Sequence, residues 1–458
     1  MKKIRFKWTA LTLALCIFLS GCVFRPVDQL YAIPHPTKDY EALQQRLGEV
    51  VAQGGEYAAP LTGEMIQAVQ LQDLDGDGKQ EAIAFFRFPG EEKPMKIYIF
   101  RQNGDSYETL AVVEGAATAV NRVDYAQMDD EPFKEIVVSW QMTAQVHSLA
   151  AYSIGPEQVE EMIRTDYDDY ALCDLDQDNQ QEIVAFRTPI TGQPQAELYD
   201  FDGVLALAGT APLSTGAVIG ADGRVKTDYL TGVITGRLSD RVPAVFATSS
   251  YGENGRITDV FVSLDGQLRN VTLDPETGES GETVSYYSAV GARDINGDGV
   301  TEIPQPVPVV DVRNISDTVS FWLIRWRQFD ANGGEQPVFT TYHNERDGWY
   351  FIIPDEWDGK LSLSRSDLPG GGERAVTFSR REGAEWEEAR PFLTIYRLTG
   401  SNRMSRAAEE GRFILIPPNP GDDVVYAARF REGWSCGLTE DQVRERFAII
   451  KTDWYSGY

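Results

Sequence analysis

The sequence predicts a mainly β chain: a β-propeller-like repeat domain with about five visible blades, followed by a small α+β domain. Three observations carry this expectation. An acidic nine-residue loop recurs three times, and short apolar β-type runs lie beside it. The repeat anchors Glu81, Glu135, Glu182, Pro243 and Glu302 are 54, 47, 61 and 59 residues apart. That interval has room for four strands, and four-stranded units repeated around an axis are the plan of a propeller.

The three loops read Asp73-Leu-Asp75-Gly-Asp77-Gly78-Lys-Gln-Glu81, Asp174-Leu-Asp176-Gln-Asp178-Asn179-Gln-Gln-Glu182 and Asp294-Ile-Asn296-Gly-Asp298-Gly299-Val-Thr-Glu302. Oxygen side chains at positions 1, 3, 5 and 9 form a cage for a hard cation. Calcium suits it best, because it takes six to eight oxygens at about 2.3–2.6 Å in a tolerant geometry. The candidate ligands are therefore Asp73, Asp75, Asp77 and Glu81; Asp174, Asp176, Asp178 and Glu182; and Asp294, Asn296, Asp298 and Glu302, for about three Ca2+ sites. Gly78, Asn179 and Gly299 stand where such a loop needs a positive φ. Carboxylates this close repel one another unless neutralised, which favours an ion over a merely solvated turn.

Apolar runs surround the loops. Ala82–Phe86, Ile183–Phe186 and a Pro-broken run from Ile303 follow them; Ala68–Leu71, Tyr170–Cys173 and Ser288–Val290 precede them. Strand, acidic turn, strand is a β-hairpin with a metal at its bend. Two degenerate copies fall in the same series. Glu135–Ser139 follows a loop with Gln127 at position 1 and Pro132 at position 6, and proline cannot adopt the left-handed bend. Pro243–Phe246 follows a loop with Arg237 at position 3, a cation where a ligand belongs. Both read as ordinary turns. Lys96–Phe100, Glu108–Val112 and Asp259–Val262 supply further strands between anchors.

The pattern Asp-x-Asp-x-Asp-Gly-x-x-Asp followed by an apolar run resembles the FG-GAP or VCBS-type repeat, also found in integrin α-subunit propellers. The resemblance covers roughly residues 60–345 and implies calcium-loaded β-hairpins. This chain departs from it in carrying Glu at position 9, a longer side chain that still reaches the ion through one oxygen or both. Such repeats occur in adhesins, enzyme accessory domains and lipoproteins alike, so the resemblance implies no single activity.

Residues 1–21 read as a signal peptide. Lys2, Lys3, Arg5 and Lys7 precede an apolar run from Trp8 to Leu19, about a dozen residues and too short to span a bilayer. Leu19-Ser20-Gly21-Cys22 resembles the lipobox of bacterial lipoproteins. The resemblance implies cleavage before Cys22, a lipid on its thiol, and retention on the outer face of the bacterial cytoplasmic membrane. Residues 22–40 read as the lipidated Cys and a tether, of which the stretch 23–38, with Pro26, Pro34 and Pro36, reaches about 50 Å at roughly 3.1 Å per residue. Repeats are expected over 41–345 and the α+β domain over 346–458.

The chain carries a formal charge of −28, and loss of the four signal-peptide cations takes it to −32. That excludes nucleic acid as a direct partner, since such binding rests on Lys and Arg neutralising phosphates. With Cys16 removed and Cys22 lipidated, Cys173 and Cys436 are the remaining thiols and form no disulfide framework. In 346–458, strand-like runs at Leu361–Ser364, Ala375–Ser379, Phe392–Leu398, Phe413–Ile416 and Val424–Phe430 surround Pro369-Gly-Gly-Gly372, read as a hairpin tip. Thr439 and Gln442 predict a capping box, and the aromatic residues around Trp349–Trp357 read as core. Gly433-Trp-Ser435-Cys436-Gly437 matches a hydrolase elbow, but the chain's histidines, His35, His147 and His343, all precede it, so no triad order follows.

No catalytic constellation is identifiable. The expected function is that of a non-enzymatic binding or scaffold module at the cell surface, membrane-tethered through Cys22, with a surface protein or glycan as ligand. The alternative is an extracellular hydrolase or lyase acting on polysaccharide.

Overall fold

The computed structural model describes residues 38–155, 159–188, 193–218, 229–287, 289–309, 321–368, 372–381, 389–432 and 434–450. The signal segment, Cys22, the tether up to residue 37, Ser288, the tip residues 369–371 and Gly433 lie outside the described residues.

The chain is mainly β, laid out as six antiparallel sheets in sequence order. Helix α1 (Lys38–Ala52) precedes sheet I, made of β1 (Glu56–Tyr57), β2 (Val69–Gln72), β3 (Glu81–Arg87), β4 (Met95–Asn103) and β5 (Ser106–Gly115). Sheet II holds β6 (Ala119–Ala126), β7 (Glu135–Gln141), β8 (His147–Ile154) and β9 (Val159–Tyr167). Sheet III holds β10 (Asp169–Cys173), β11 (Glu182–Arg187), β12 (Gln195–Phe201) and β13 (Leu205–Pro212). After a short helix, α2 (Thr215–Val218), sheet IV follows with β14 (Leu230–Arg237), β15 (Pro243–Tyr251), β16 (Gly255–Leu264) and β17 (Gln267–Asn270). Sheet V contains β18 (Ile303–Val309), β19 (Phe321–Phe329), β20 (Glu335–Asn344) and β21 (Trp349–Ile353). Sheet VI contains β22 (Leu361–Leu368), β23 (Glu373–Arg380), β24 (Arg390–Thr399), β25 (Arg412–Ile414) and β26 (Val424–Phe430), with α3 (Arg403–Ala407) between β24 and β25. Helix α4 (Glu440–Arg446) then leads to β27 (Phe447–Ile449), which returns to pair with β21 in sheet V.

The boundary expected at 345/346 therefore cuts a hairpin. Asn344 pairs with Trp349, and the C-terminal residues supply sheet V with β21 before they build a sixth sheet and with β27 after it. The predicted C-terminal strands and the Thr439–Gln442 capping box are present, and the aromatic cluster is core, with Trp349, Phe351 and Trp357 almost wholly buried. The tether expected to residue 40 ends earlier, because α1 begins at Lys38.

The inner strands β7, β11 and β15 are apolar on both faces because a sheet packs on each side of them. In β7, Ile136 and Val138 face sheet I, while Val137 faces sheet III. In β11, Ile183 and Ala185 pack toward sheet II, and Val184 and Phe186 toward sheet IV. Period two thus divides each inner strand between two neighbours, and a further apolar layer joins sheet V to sheet VI. The end faces are covered differently. Leu43, Leu47 and Val50 of α1 pack on Ala82, Ala84 and Phe86, and Ala407 of α3 packs on Leu398 and Ala427 of sheet VI. Among the described residues, no apolar cluster joins sheet VI to sheet I.

Sheet V departs from the hairpin expectation. Among the described residues no strand precedes its loop; a bridge, Arg293 to Glu302, stands where the other sheets have a ladder. Its β18 tolerates Pro304, Pro306 and Pro308 because it is an edge strand, where a missing N–H need not face a partner.

Candidate metal centre

All four loops that end in glutamate share one latch. Oε2 of the closing residue accepts the N–H of loop position 2: Glu81 from Leu74 (3.0 Å), Glu135 from Met128 (2.7 Å), Glu182 from Leu175 (2.6 Å) and Glu302 from Ile295 (3.0 Å). The position-2 side chains are buried, so each loop is pinned by an apolar anchor and a carboxylate at once. One oxygen of each closing glutamate is thereby committed to the backbone, which leaves Oε1 for the loop centre.

The remaining side chains curl the backbone around that centre. Position 3 accepts the N–H of position 5 in Asp75, Asp176 and Asn296 (3.1, 3.2 and 2.8 Å). Position 1 accepts the N–H of position 6 in Asp73, Asp174 and Asp294 (3.1, 3.3 and 2.8 Å). Position 6 has the positive φ expected of it: 84° at Gly78, 75° at Asn179 and 82° at Gly299. Position 4 has it too, and Gln177 adopts φ 67° there without being glycine.

Carboxylate oxygens of Asp174, Asp176, Asp178 and Glu182 lie within 4.8 Å of one another, as do those of Asp73, Asp75 and Glu81, and those of Asp294, Asp298 and Glu302. Asp77 stays outside its group; its carboxylate accepts the Lys79 N–H at 2.7 Å and lies 3.7 Å from Lys79 Nζ. Asn296 contributes an amide rather than a charge, and its Nδ2 donates to Asp298 at 2.9 Å.

The three centres are neutralised to different degrees. In the 174–182 loop, Asp174 Oδ1 and Glu182 Oε1 are buried with no hydrogen-bond partner, and Glu182 is 2% exposed. Burial first, then the charges of Asp176, Asp200 and Asp174, push its carboxyl up to about 8 against the stabilising Leu175 N–H. In the 73–81 loop, the Arg101 guanidinium stands 3.4 Å from Asp75 and 3.9 Å from Glu81. In the 294–302 loop, Gln328 Nε2 donates to Glu302 Oε1 at 2.8 Å and to Asp298 at 3.2 Å. There Glu302 is raised to about 7, again chiefly by burial.

The degenerate copies behave as ordinary turns. Gln127 Nε2 donates to the carbonyls of Asp129 and Glu131, filling the centre of its loop with an N–H. Residues 238–242 close β14 onto β15 through Leu238 N–H to Val242 at 2.9 Å. Arg241 from that turn reaches the Asp298 carbonyl at 2.7 Å. Loops of adjacent sheets are stitched together: Lys134 N–H bonds Leu74, Gln181 bonds Gln127, and Thr301 bonds Arg237 (2.7, 2.7 and 2.9 Å). Sequence spacing located the loop residues, but Arg101, Asp200, Arg241 and Gln328 come from neighbouring strands or turns.

No protein-family model matches the chain, and no curated protein does. Among solved structures, similarity extends to a Lactobacillus plantarum protein (11% identity, 69% of this chain and 77% of that one, TM-score 0.24). It extends also to Saccharomyces cerevisiae Sqt1 (9%, 67% and 82%, TM-score 0.30) and to TolB from Acinetobacter baumannii (10%, 79% and 66%, TM-score 0.24). Likeness at these TM-scores carries no argument about fold or function; the mainly β assignment rests on the chain's own strands.

Proposed function

We propose that this chain is a calcium-stabilised, propeller-like binding or scaffold module of the FG-GAP/VCBS type, held outside the cytoplasmic membrane by a lipid on Cys22. The observation that carries the calcium part is the 174–182 centre. Four acids converge there, and two of their oxygens, one on the nearly inaccessible Glu182, have no partner. A buried carboxylate oxygen without a partner is costly, and a hard divalent cation satisfies several at once. Calcium acts as a staple across hairpin bends; the ligand, a surface protein or glycan, meets the array elsewhere.

The test is a melting curve of the full chain with calcium and with chelator. Calcium at 100-fold its Kd adds about 2.7 kcal/mol per site, so the midpoint rises, and Asp176→Ala removes the share of that rise that the 174–182 site supplies. An unchanged midpoint in the parent chain sinks the calcium reading. For the anchor, Cys22→Ala is expected to move the chain from the membrane fraction to the soluble one.

A further inference from the structure

The partner of the closing glutamate across the sheet differs in every loop, and the difference has a sign. Strand register aligns Ala82 with Phe100, Ile136 with Tyr152, Ile183 with Tyr199 and Ile303 with Arg327. One residue outward, the position facing Glu81 is Arg101, that facing Glu135 is Ser153, that facing Glu182 is Asp200, and that facing Glu302 is Gln328. Arg101 brings a positive charge to Asp75 and Glu81, and its guanidinium also lies 5.5 Å over the Phe133 ring of the next loop. Gln328 brings a neutral donor. Asp200 brings a fifth acid; its Oδ1 accepts the Phe201 N–H at 2.7 Å and it stands outside the gathered oxygens, so it adds negative charge beside the loop.

We infer that this cross-strand position sets cation affinity, so that the three loops are graded rather than equivalent. The 174–182 loop, flanked by the negative charge of Asp200, is the tight divalent-cation site; the 294–302 loop is weaker; and the 73–81 loop carries its own counter-cation in Arg101 and is the weakest. In the first loop Glu182 Oε1, 2% exposed, and Asp174 Oδ1 are both without a partner; Glu135 Oε1 also lacks one, but the Gln127 amide stands at position 1 of its loop. In the 73–81 and 294–302 loops the matching oxygen faces a guanidinium or accepts an amide. Calcium sites are tuned by ligand charge count, and exchanging a nearby positive charge for a negative one shifts affinity by roughly tenfold or more.

This rests on the calcium reading above, and calorimetric titration of the full chain in detergent with calcium alone separates the two. One tight site and two sites at least about tenfold weaker is the expected result. Three equally tight sites overturn the grading and leave the calcium reading standing; no binding at all overturns both. Arg101→Gln, which copies the Gln328 arrangement, is expected to tighten a weak site by about tenfold, and adding Asp75→Ala is expected to abolish that gain. Asp200→Asn is expected to loosen the tight site by about tenfold. An Arg101→Gln chain that titrates as the parent does overturns the inference, independently of how well any Asp200 variant folds.

Discussion

The 127–135 and 174–182 loops occupy the same place in neighbouring sheets and differ at positions 1, 5 and 6, where Gln127, Glu131 and Pro132 replace Asp174, Asp178 and Asn179. Both close with a buried glutamate whose Oε2 takes the position-2 N–H, and both lead into a strand packed on two sides. In the first, the Gln127 amide sits among the loop carbonyls; in the second, Asp174 presents a carboxylate and Oδ1 is left without a partner. The latch and the cation cage are therefore separable. The latch belongs to the fold, and the residues at positions 1, 5 and 6 decide whether the loop also gathers acids for an ion.

The largest effect that follows is a difference between two matched substitutions. Glu135→Ala leaves the Met128 N–H buried without its acceptor, at a cost of about 1–3 kcal/mol that is the same in calcium and in chelator. Glu182→Ala removes the same kind of latch and also the calcium linkage. Its cost is expected to be larger in saturating calcium than in chelator, by about 2.7 kcal/mol at 100-fold Kd. Urea unfolding in both buffers measures the four values. Equal calcium sensitivity in the two variants would merge the loops and break the comparison.

A smaller effect separates them by pH. Burial raises the Glu135 carboxyl to about 7 and that of Glu182 to about 8, both above their unfolded value near 4.5. A raised folded pKa contributes stability that is complete below about pH 4.5 and is lost as pH rises through the folded value. In chelator both loops lose stability between about pH 4.5 and 8. In saturating calcium Glu182 is held ionised by its ligand, so its share of the loss disappears and the Glu135 share remains. Glu135→Gln, which keeps a carbonyl for Met128, is expected to flatten that remaining slope by about 1–3 kcal/mol across the window. Unfolding midpoints at pH 5 and pH 8 decide it; a slope that Glu135→Gln leaves intact refutes the assignment.

What was legible in the sequence follows from how far each interaction reaches. The loop positions 1, 3, 5 and 9 act on one another within nine residues, so spacing alone exposed them. The strands beside the loops were legible because burial on both faces writes itself as an unbroken apolar run. Thr439 and Gln442 were legible for the same local reason. Arg101, Asp200 and Gln328 were not, because they reach the centres through strand register, and no local pattern states which residue on the next strand faces a given glutamate. The tie between the C-terminal segment and sheet V was hidden in a similar way. The C-terminal strands were visible, but the return of Phe447–Ile449 to Trp349–Phe351 joins segments nearly a hundred residues apart. One signal was present and unread: an apolar residue at position 2 paired with glutamate at position 9 survives in the 127–135 copy, which has lost its cage. That combination marks the latch rather than the ion.

The smallest expected effect tests the same distinction inside two loops that look alike in sequence. Asp77 and Asp178 both stand at position 5, and both accept the N–H of position 7 at 2.7 Å. Only Asp178 has an oxygen gathered with the other acids of its loop; Asp77 faces Lys79 instead. An exposed pair such as Asp77–Lys79 contributes little to stability, roughly 0–1 kcal/mol. Asp178→Asn is therefore expected to weaken calcium binding at its loop by about tenfold, and Asp77→Asn to change binding at its own loop by no more than about twofold. Neither is expected to move the melting midpoint in chelator appreciably, because an asparagine oxygen still accepts the turn N–H. Equal losses of calcium affinity in the two variants would mean that position 5 ligates in both loops, and that Lys79 yields its carboxylate to the ion.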